Sequence, residues 1–480
     1  MADLTMRTTN GGNTVVPQHA VARLAEGLAG ELVTAESADY DERRAIWNAM
    51  IDRRPGLIAR CASAEDVVQV VTFGRENGLL TSIRGAGHNI AGNAVADGAL
   101  MIDLSGMNAV EVDPASRTAR VEPGATLGDI DAAAQAHGLA LPVGINSTTG
   151  IAGLTLGGGF GWLSRKHGLT IDNLISADVV TVSGQQVRAS ESENADLFWG
   201  IRGGGGNFGI VTSFEFRVHP VGPDVLSGLI VHPYGDAADV LRKYREFVAS
   251  APEELTAWVV LRKAPPLPFL PEAVHGTEIL AIAALYAGDM ADGERAMADL
   301  RKIGSPIADA IAPHKFVDFQ RAFDPLLTPG SRNYWKSHDF TELSDGAIDV
   351  IVDYAGRLPT PQCEIFLAQL GGAVGRVPAE ATAYTHRDAE FVLNVHTRWD
   401  DPAEDDKCVS WARELFDRSA PFATGGVYIN FMPEDEGDRV GAAYGSNYER
   451  LVELKNKYDS ENFFRLNQNI QPGVVAAKRV

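Results

Sequence analysis

Three glycine-dense segments hold the residues best placed to do chemistry. They are Arg84-Gly85-Ala86-Gly87-His88-Asn89-Ile90-Ala91-Gly92-Asn93, the run from Gly150 to Gly157-Gly158-Gly159-Phe160-Gly161, and Arg202-Gly203-Gly204-Gly205-Gly206-Asn207-Phe208-Gly209. Glycine has no Cβ, so it allows positive φ and close backbone approach, at an entropic cost on folding. Meeting that cost three times between Arg84 and Gly209 points to a bulky phosphorylated ligand. The reading is a large nucleotide cofactor lying across loops of an α/β domain, with His88 facing it. A loop histidine bonded to a backbone carbonyl is the plainer alternative, and spacing alone leaves both open. The second segment is no Walker A loop, because no Gly-Lys-Ser/Thr closes it, and it lacks the strand and distant acid of a dinucleotide fingerprint. Its N–H groups can form an anion nest suited to pyrophosphate; a simple tight connection is the other reading.

Other chemistries lack their residues. The 11 histidines form no HExxH and no helical pair beside a carboxylate, so no metal site is expected. No GxSxG marks a serine hydrolase. In Gly425-Gly426-Val427-Tyr428-Ile429-Asn430-Phe431, Tyr428 and Asn430 stand two apart in a strand-like run. They would share one face, lining either a cavity or an exposed edge.

Composition narrows the class further. A chain of 480 residues is too long for one ordinary core, so two or three domains are expected. The net charge of -21 argues against a nucleic-acid partner and disfavours an anionic membrane surface. Cys61, Cys363 and Cys408 are widely spaced, with no CxxC, which fits a reducing compartment. The N-terminus carries no apolar signal region and no apolar run reaches membrane length, so a cytoplasmic protein is expected.

The elements that must position these residues are legible in outline. A polar tail of about thirty residues should run into a short helix. Leu57 to Cys61 reads as a strand, Ser63 with Asp66 as a capping box, and Gly78 as the stop of a helix carrying Val67, Val70 and Val71. Leu79 to Ile83 is then the strand that delivers His88, in a βαβ-like unit with the signal where strands end. Ala99 to Leu104 is another strand. Two hairpins follow, Val110–Asp113 with Thr118–Glu122 and Asp178–Val182 with Gln186–Ala189, and Ile210 to Val218 is a long strand. After Pro223 the glycine clusters stop. Strands at 226–231, 255–261, 279–286, 363–370 and 391–397 alternate with helices near 235–249, 290–303, 342–356 and 402–418. This predicts an antiparallel sheet, with Pro265-Pro266-Leu267-Pro268 as a loop at a cleft rim.

Taken together, the Arg84–Asn89 loop, the Gly150–Gly161 run, Asp196–Gly209, Tyr428-Ile429-Asn430 and the Asn447–Arg465 segment resemble the berberine bridge enzyme-like branch of the FAD-linked oxidases. These share the vanillyl-alcohol-oxidase fold, and the resemblance covers nearly the whole chain. It implies an α+β architecture: a two-subdomain PCMH-type FAD-binding domain plus a substrate domain with an antiparallel sheet backed by helices. The implied divisions are 1–222 for the cofactor, 223–424 for substrate and 425–480 returning to the cofactor domain.

The resemblance also implies site roles. His88 would be tethered covalently to the flavin 8α-methyl group. Many relatives carry a second, cysteinyl tether, but Asn146 stands near that position and no cysteine lies between Cys61 and Cys363. The remaining implied FAD contacts are Arg84, Gly85, Ala86, Gly87, Asn89, Gly92 and Asn93 in the first loop. Gly150, Gly153, Leu154, Thr155, Gly157, Gly158, Gly159 and Gly161 supply the second, and Asn207, Gly209, Ile210 and Val211 the third. Asn430 should face the flavin, Phe431 cannot donate a proton, and Tyr428 is the expected base or its hydrogen-bond partner. Gln369 and Glu364, five apart, point to opposite faces of a strand, and Gln369 is the favoured substrate-facing residue. Tyr334 and Trp335 are candidate aromatic walls, and His386-Arg387 is expected to be structural. The implied activity is hydride removal from an alcohol or amine carbon of a small-to-medium organic substrate, with dioxygen as acceptor. A same-fold dehydrogenase, an oligosaccharide oxidase and a non-catalytic flavin protein are the alternatives.

Overall fold

The computed structural model describes residues 3–473. The unit that delivers His88 forms as the sequence implies. Leu57–Arg60 and Thr81–Arg84 both run parallel to a central Leu100–Asp103 strand, with Glu31–Val33 at the edge. The connecting helix Ala64–Glu76 buries Val67, Val70 and Val71, an i, i+3, i+4 stripe. Each fully buried valine contributes roughly 1.5–3 kcal/mol against exposure. Ser63 Oγ accepts from the Asp66 N–H at 3.1 Å, but the capping box does not close. The Asp66 carboxylate is taken by the amides of Ala62, Ala29 and Gly30 at 2.8–2.9 Å, which ties the preceding chain to the helix start.

The expected polar tail is instead a hairpin, Leu4–Arg7 with Asn13–Val16. Its polar residues face outward while Met6 and Val16 are buried. Beyond the small sheet lies a five-stranded antiparallel sheet made of the two predicted hairpins with Ile210–Arg217 between them. Thr126 and Asp129 close a true capping box on the helix Leu127–Gln135, which packs beneath it.

The third sheet is drawn entirely from residues 224–399 and is antiparallel throughout. One face is covered by the helices Ala237–Val248, Asp345–Ala355 and Asp405–Ser419, packed on Ile282, Leu261, Ile365 and Val395. Arg332–Phe340 is a strand that the sequence conceals. Its run Lys336-Ser337-His338-Asp339 looks like a loop, yet Lys336 pairs with Glu436 at 2.9 Å and His338 Nε2 meets the Phe416 carbonyl at 2.9 Å.

The tail folds back onto the five-stranded sheet, burying Val427, Ile429, Leu451, Leu454 and Ile470 in that core. The buried Lys455 ammonium donates to the carbonyls of Asn207 and Phe464, each at 2.9 Å, and to Asp459 at 2.6 Å. That lysine fastens the tail to the third glycine segment.

Candidate active site

The glycine segments and the exposed face of the 224–399 sheet enclose a cavity of about 360 Å³. From the first loop Gly85, Ala86, Gly87, His88, Asn89 and Asn93 line it. Gly150, Gly153, Leu154 and Gly157 come from the second, Gly209, Ile210 and Val211 from the third, and Tyr428 and Asn430 from the tail. The other expected cofactor residues sit behind this wall. Arg84 donates to the Arg43 carbonyl, and Gly92 packs on Ile51. Thr155 is buried in the short helix Ile151–Leu156. Gly158 supports the Tyr384 and Tyr428 rings, while a Cβ at Gly159 or Gly161 would collide with Thr170 or the Val143 carbonyl. Asn207 is a buried clamp, donating to the Gly204 carbonyl and accepting from the Ile470 N–H.

The lining glycines therefore do two jobs. A Cβ at Gly157 would strike the Asn430 amide, so packing requires that glycine. A Cβ at Gly153 or at Gly206, which also lines the cavity, would meet no protein atom within 4 Å. Those two leave room for an occupant. Ala152 and Gly153 also belong to a first helical turn, whose N–H groups have no intrahelical acceptor and favour an anion.

His88 stacks on Trp47 with centroids 5.2 Å apart and planes at 22°. Thr148 Oγ1 lies 2.9 Å from Nε2, whereas the Thr149 hydroxyl reaches only 3.5 Å from Nδ1. Burial pulls the imidazole down to about 4, against the weaker upward pull of Thr148, so the ring is neutral at neutral pH. Trp47 carried no sequence signal. Its indole N–H donates to the Leu327 carbonyl at 2.9 Å, joining the cofactor wall to the sheet wall.

Strand pairing builds the opposite wall. Arg262, Glu364, His396 and Trp335 are register partners in succession, so they form one row across four strands. A second row, Val260, Phe366, Asn394 and Ser337, lies beside it on the same face. Arg262 Nη1 donates to Glu364 Oε2 at 2.7 Å, Glu364 Oε1 lies 3.2 Å from His396 Nδ1, and His396 Nε2 lies 3.3 Å from Asn333 Oδ1. Burial pushes the Glu364 carboxyl up, but Arg262, His396 and Arg398 outweigh it and hold it at about 2.

This arrangement corrects the choice of Gln369. Residues 364 and 369 do point to opposite faces of the strand, and it is Glu364 that lines the cavity. Gln369 is buried on the other side, where its carbonyl accepts from the Ala257 N–H at 3.2 Å. Trp335 faces the cavity, while Tyr334 points away to Asp435 at 2.8 Å. His396 and Asn394 were missed; their signal was polar residues of equal parity, Asn394, His396 and Arg398, within the buried strand Phe391–Trp399.

Tyr428 and Asn430 meet, but not on a strand. Ile429–Phe431 is one 3-10 turn, and Asn430 Nδ2 donates to the Tyr428 hydroxyl at 3.0 Å. The Gly159 N–H donates to the same oxygen at 3.0 Å. Burial still pushes this phenol up to about 12, because the two donors offset only part of the desolvation. The hydroxyl accepts two bonds, which leaves its own proton free to donate. Among the described residues no cluster of three or more His, Cys, Asp or Glu is arranged to hold a metal ion, and no helix is long and apolar enough to cross a membrane.

Fold and site together define an FAD-linked oxidoreductase. A model of an FAD binding domain matches residues 55–190, and one described as berberine and berberine like matches residues 427–471. An FAD-linked oxidoreductase of Dictyostelium discoideum is 32% identical over 94% of this chain and 97% of its own length. The (R)-6-hydroxynicotine oxidase of Paenarthrobacter nicotinovorans is 31% identical over 93% of this chain and 97% of its own. The solved 6-hydroxy-D-nicotine oxidase of Arthrobacter nicotinovorans superposes with a TM-score of 0.83 at 28% identity, covering 93% of this chain and 98% of that one. The chain belongs to the berberine and berberine-like family of FAD-linked oxidoreductases. The residues present fit that cofactor: an open glycine edge at 153 and 206, first-turn amides for pyrophosphate, and a neutral imidazole facing the cavity.

Proposed function

We propose that this enzyme is an oxidase that holds FAD through a single bond from His88 and takes hydride from an alcohol or amine carbon of a small-to-medium organic molecule. Bound FAD supplies the hydride acceptor, and dioxygen is the proposed terminal acceptor. The observation that carries the reading is one cavity with the glycine loops and His88 on one wall and the Glu364–His396 pair on the other. In this reading residues 1–222 and 425–480 hold the cofactor, and 223–424 present the substrate.

His88 supplies a neutral ring with a lone pair, and Nδ1 is its less engaged nitrogen. Without a cysteine between Cys61 and Cys363, no second tether can form there. The Glu364–His396 pair receives the proton that leaves a substrate O–H or N–H. Imidazole is the side chain suited to proton exchange near neutral pH. Asn333 Oδ1 holds the Nε2 proton of the neutral ring, Nδ1 is left to take up the arriving proton, and the ionised Glu364 beside Nδ1 stabilises the imidazolium that results. Tyr428, held by Gly159 and Asn430, donates its free proton to the substrate heteroatom and positions it. All three cysteines are buried and unpaired, which supports a reducing compartment such as the cytoplasm.

Acid precipitation of the purified protein should leave a yellow pellet and a His88 peptide carrying the mass of FAD, while His88→Ala should release free flavin. Wild-type flavin in the acid supernatant rules out the bond. Anaerobic bleaching across sugars, benzylic and allylic alcohols and cyclic amines then identifies the substrate class, and bleaching by oligosaccharides alone overturns the proposed one. Stopped-flow reoxidation in air identifies the acceptor. A rate no faster than that of free reduced flavin would make the protein a dehydrogenase.

A further inference from the structure

The active-site cavity has an apolar side arm. A second cavity of about 70 Å³ shares Ile145, Trp258, Leu327, Glu364 and Phe366 with the main one, so the two adjoin along those five side chains. Its floor is the same sheet face one to three strands further on. Val260 pairs with Ala281 and Ala281 with Val231, while Trp258 pairs with Ala283 and Ala283 with Leu229. These residues alternate with those under the helical layer, so the whole floor faces one side. Its roof is the 264–274 loop, from which Leu267 and Leu270 reach the cavity, together with Phe323 and Leu326. Phe269, at the tip of that loop, is 39% exposed, an apolar group left at the surface beside the arm.

Two charged groups stand at the junction, and each satisfies the other: Arg262 and Glu364 pair at 2.7 Å. The arm beyond them offers hydrocarbon and aromatic surface. A hydroxylated group placed there would lose its water without gaining partners, which costs roughly 1–3 kcal/mol per polar group. An alkyl or terpenoid group would gain from burial along its whole length.

We propose that the arm is a substrate subsite for an apolar substituent. The oxidised carbon then lies in the main cavity between Tyr428 and the Glu364–His396 pair, and an aliphatic chain or ring extends past Glu364 under the 264–274 loop. The substrate is therefore amphipathic, with a polar reacting end and an apolar tail. This rests on the proposed flavin reading and goes beyond it by assigning the substrate's second end.

The test uses the FAD-loaded enzyme and 4-n-alkylbenzyl alcohols from methyl to hexyl, titrated anaerobically and followed in the flavin spectrum. Half-saturation should fall about three- to fourfold per added methylene over the first few carbons and level off once the arm is full. Ala281→Phe narrows the arm and should abolish the gain for the long homologues while leaving the methyl compound within about twofold. Leu229→Phe, at a less buried position, serves if the first variant loses flavin or folds poorly. Half-saturation independent of chain length, or an unchanged slope in the narrowed variant, overturns the subsite. Absence of flavin bands would instead strike the flavin reading, which separates the two failures.

Discussion

Glu364→Gln keeps the shape of the central residue of the sheet row and removes its charge. In the folded enzyme that carboxyl is held at about 2, against an ordinary 4.5. At about 1.36 kcal/mol per pH unit, the displacement contributes about 3 kcal/mol of stability at neutral pH. The sign follows from which state binds protons first. As pH falls, the unfolded carboxyl protonates near 4.5 while the folded one stays ionised to about 2. The contribution is therefore full above about pH 4.5, about 2 kcal/mol at pH 3.5, and gone below about pH 2. Removing one partner of a buried pair leaves an uncompensated charge, here Arg262 with its side chain 12% exposed, at about 3–5 kcal/mol. Glutamine can still accept from Arg262, which places the expected loss at the lower end. Denaturant unfolding of wild type and variant should differ by about 2–4 kcal/mol at pH 7, narrowing toward zero as pH falls. A gap below about 1 kcal/mol, or one that ignores pH, would refute the claim that Arg262 and His396 hold Glu364 ionised.

The glycine wall gives a paired prediction. Gly153→Ala should leave thermal stability unchanged or slightly raised, since the new Cβ meets no protein atom and alanine favours the helix, yet it should lower flavin content. Gly157→Ala should lower both, because its Cβ displaces Asn430 and the bond Asn430 gives Tyr428. Equal flavin loading in Gly153→Ala would count against an occupant on that edge. Tyr428→Phe strands the Gly159 and Asn430 donors, at about 1–3 kcal/mol each, and removes the proton offered to substrate. Anaerobic flavin reduction should slow at least about tenfold while reoxidation in air holds, and an unchanged reduction rate would reduce Tyr428 to packing.

The cofactor wall was legible because its requirements are local. A glycine that must avoid a neighbour, a serine at a helix start, or a histidine between strand and loop each leaves a mark within a few residues. The substrate wall was not legible, because its row comes from four strands whose lateral order no local pattern states. Parity could say that Glu364 and Gln369 point apart, but only the helices packed on Ile365 and Leu367 decide which of the two faces inward. Arg332–Phe340 stayed hidden because Tyr334 and Lys336 are satisfied from the distant 434–439 segment and His338 from the Phe416 carbonyl, and Lys336 reads as exposed until Glu436 is beside it. For Tyr428 and Asn430, spacing brought the right pair together for the wrong reason. No shared strand face joins them: Tyr428 is the extended residue before the 3-10 turn Ile429–Phe431, and the turn brings the Asn430 amide back to its hydroxyl.

The chemistry of the two walls bears on the choice between alcohol and amine. The chain carries a net charge of -21, which would draw a cationic amine if that charge reached the cavity. At the sheet row it does not, because Arg262 meets the Glu364 carboxylate directly. An ammonium ion would gain little there and would have to shed its proton before losing hydride, a proton that water can take before binding. An alcohol is in the opposite position. Its hydroxyl proton leaves together with the hydride, inside a cavity lined by Trp335, Phe366 and Phe431, where a protein group beside the reacting carbon is the best-placed acceptor. An imidazole backed by an ionised carboxylate is the arrangement that an alcohol requires and a neutral amine does not. Its place at the centre of the sheet row favours an alcohol carbon as the one oxidised.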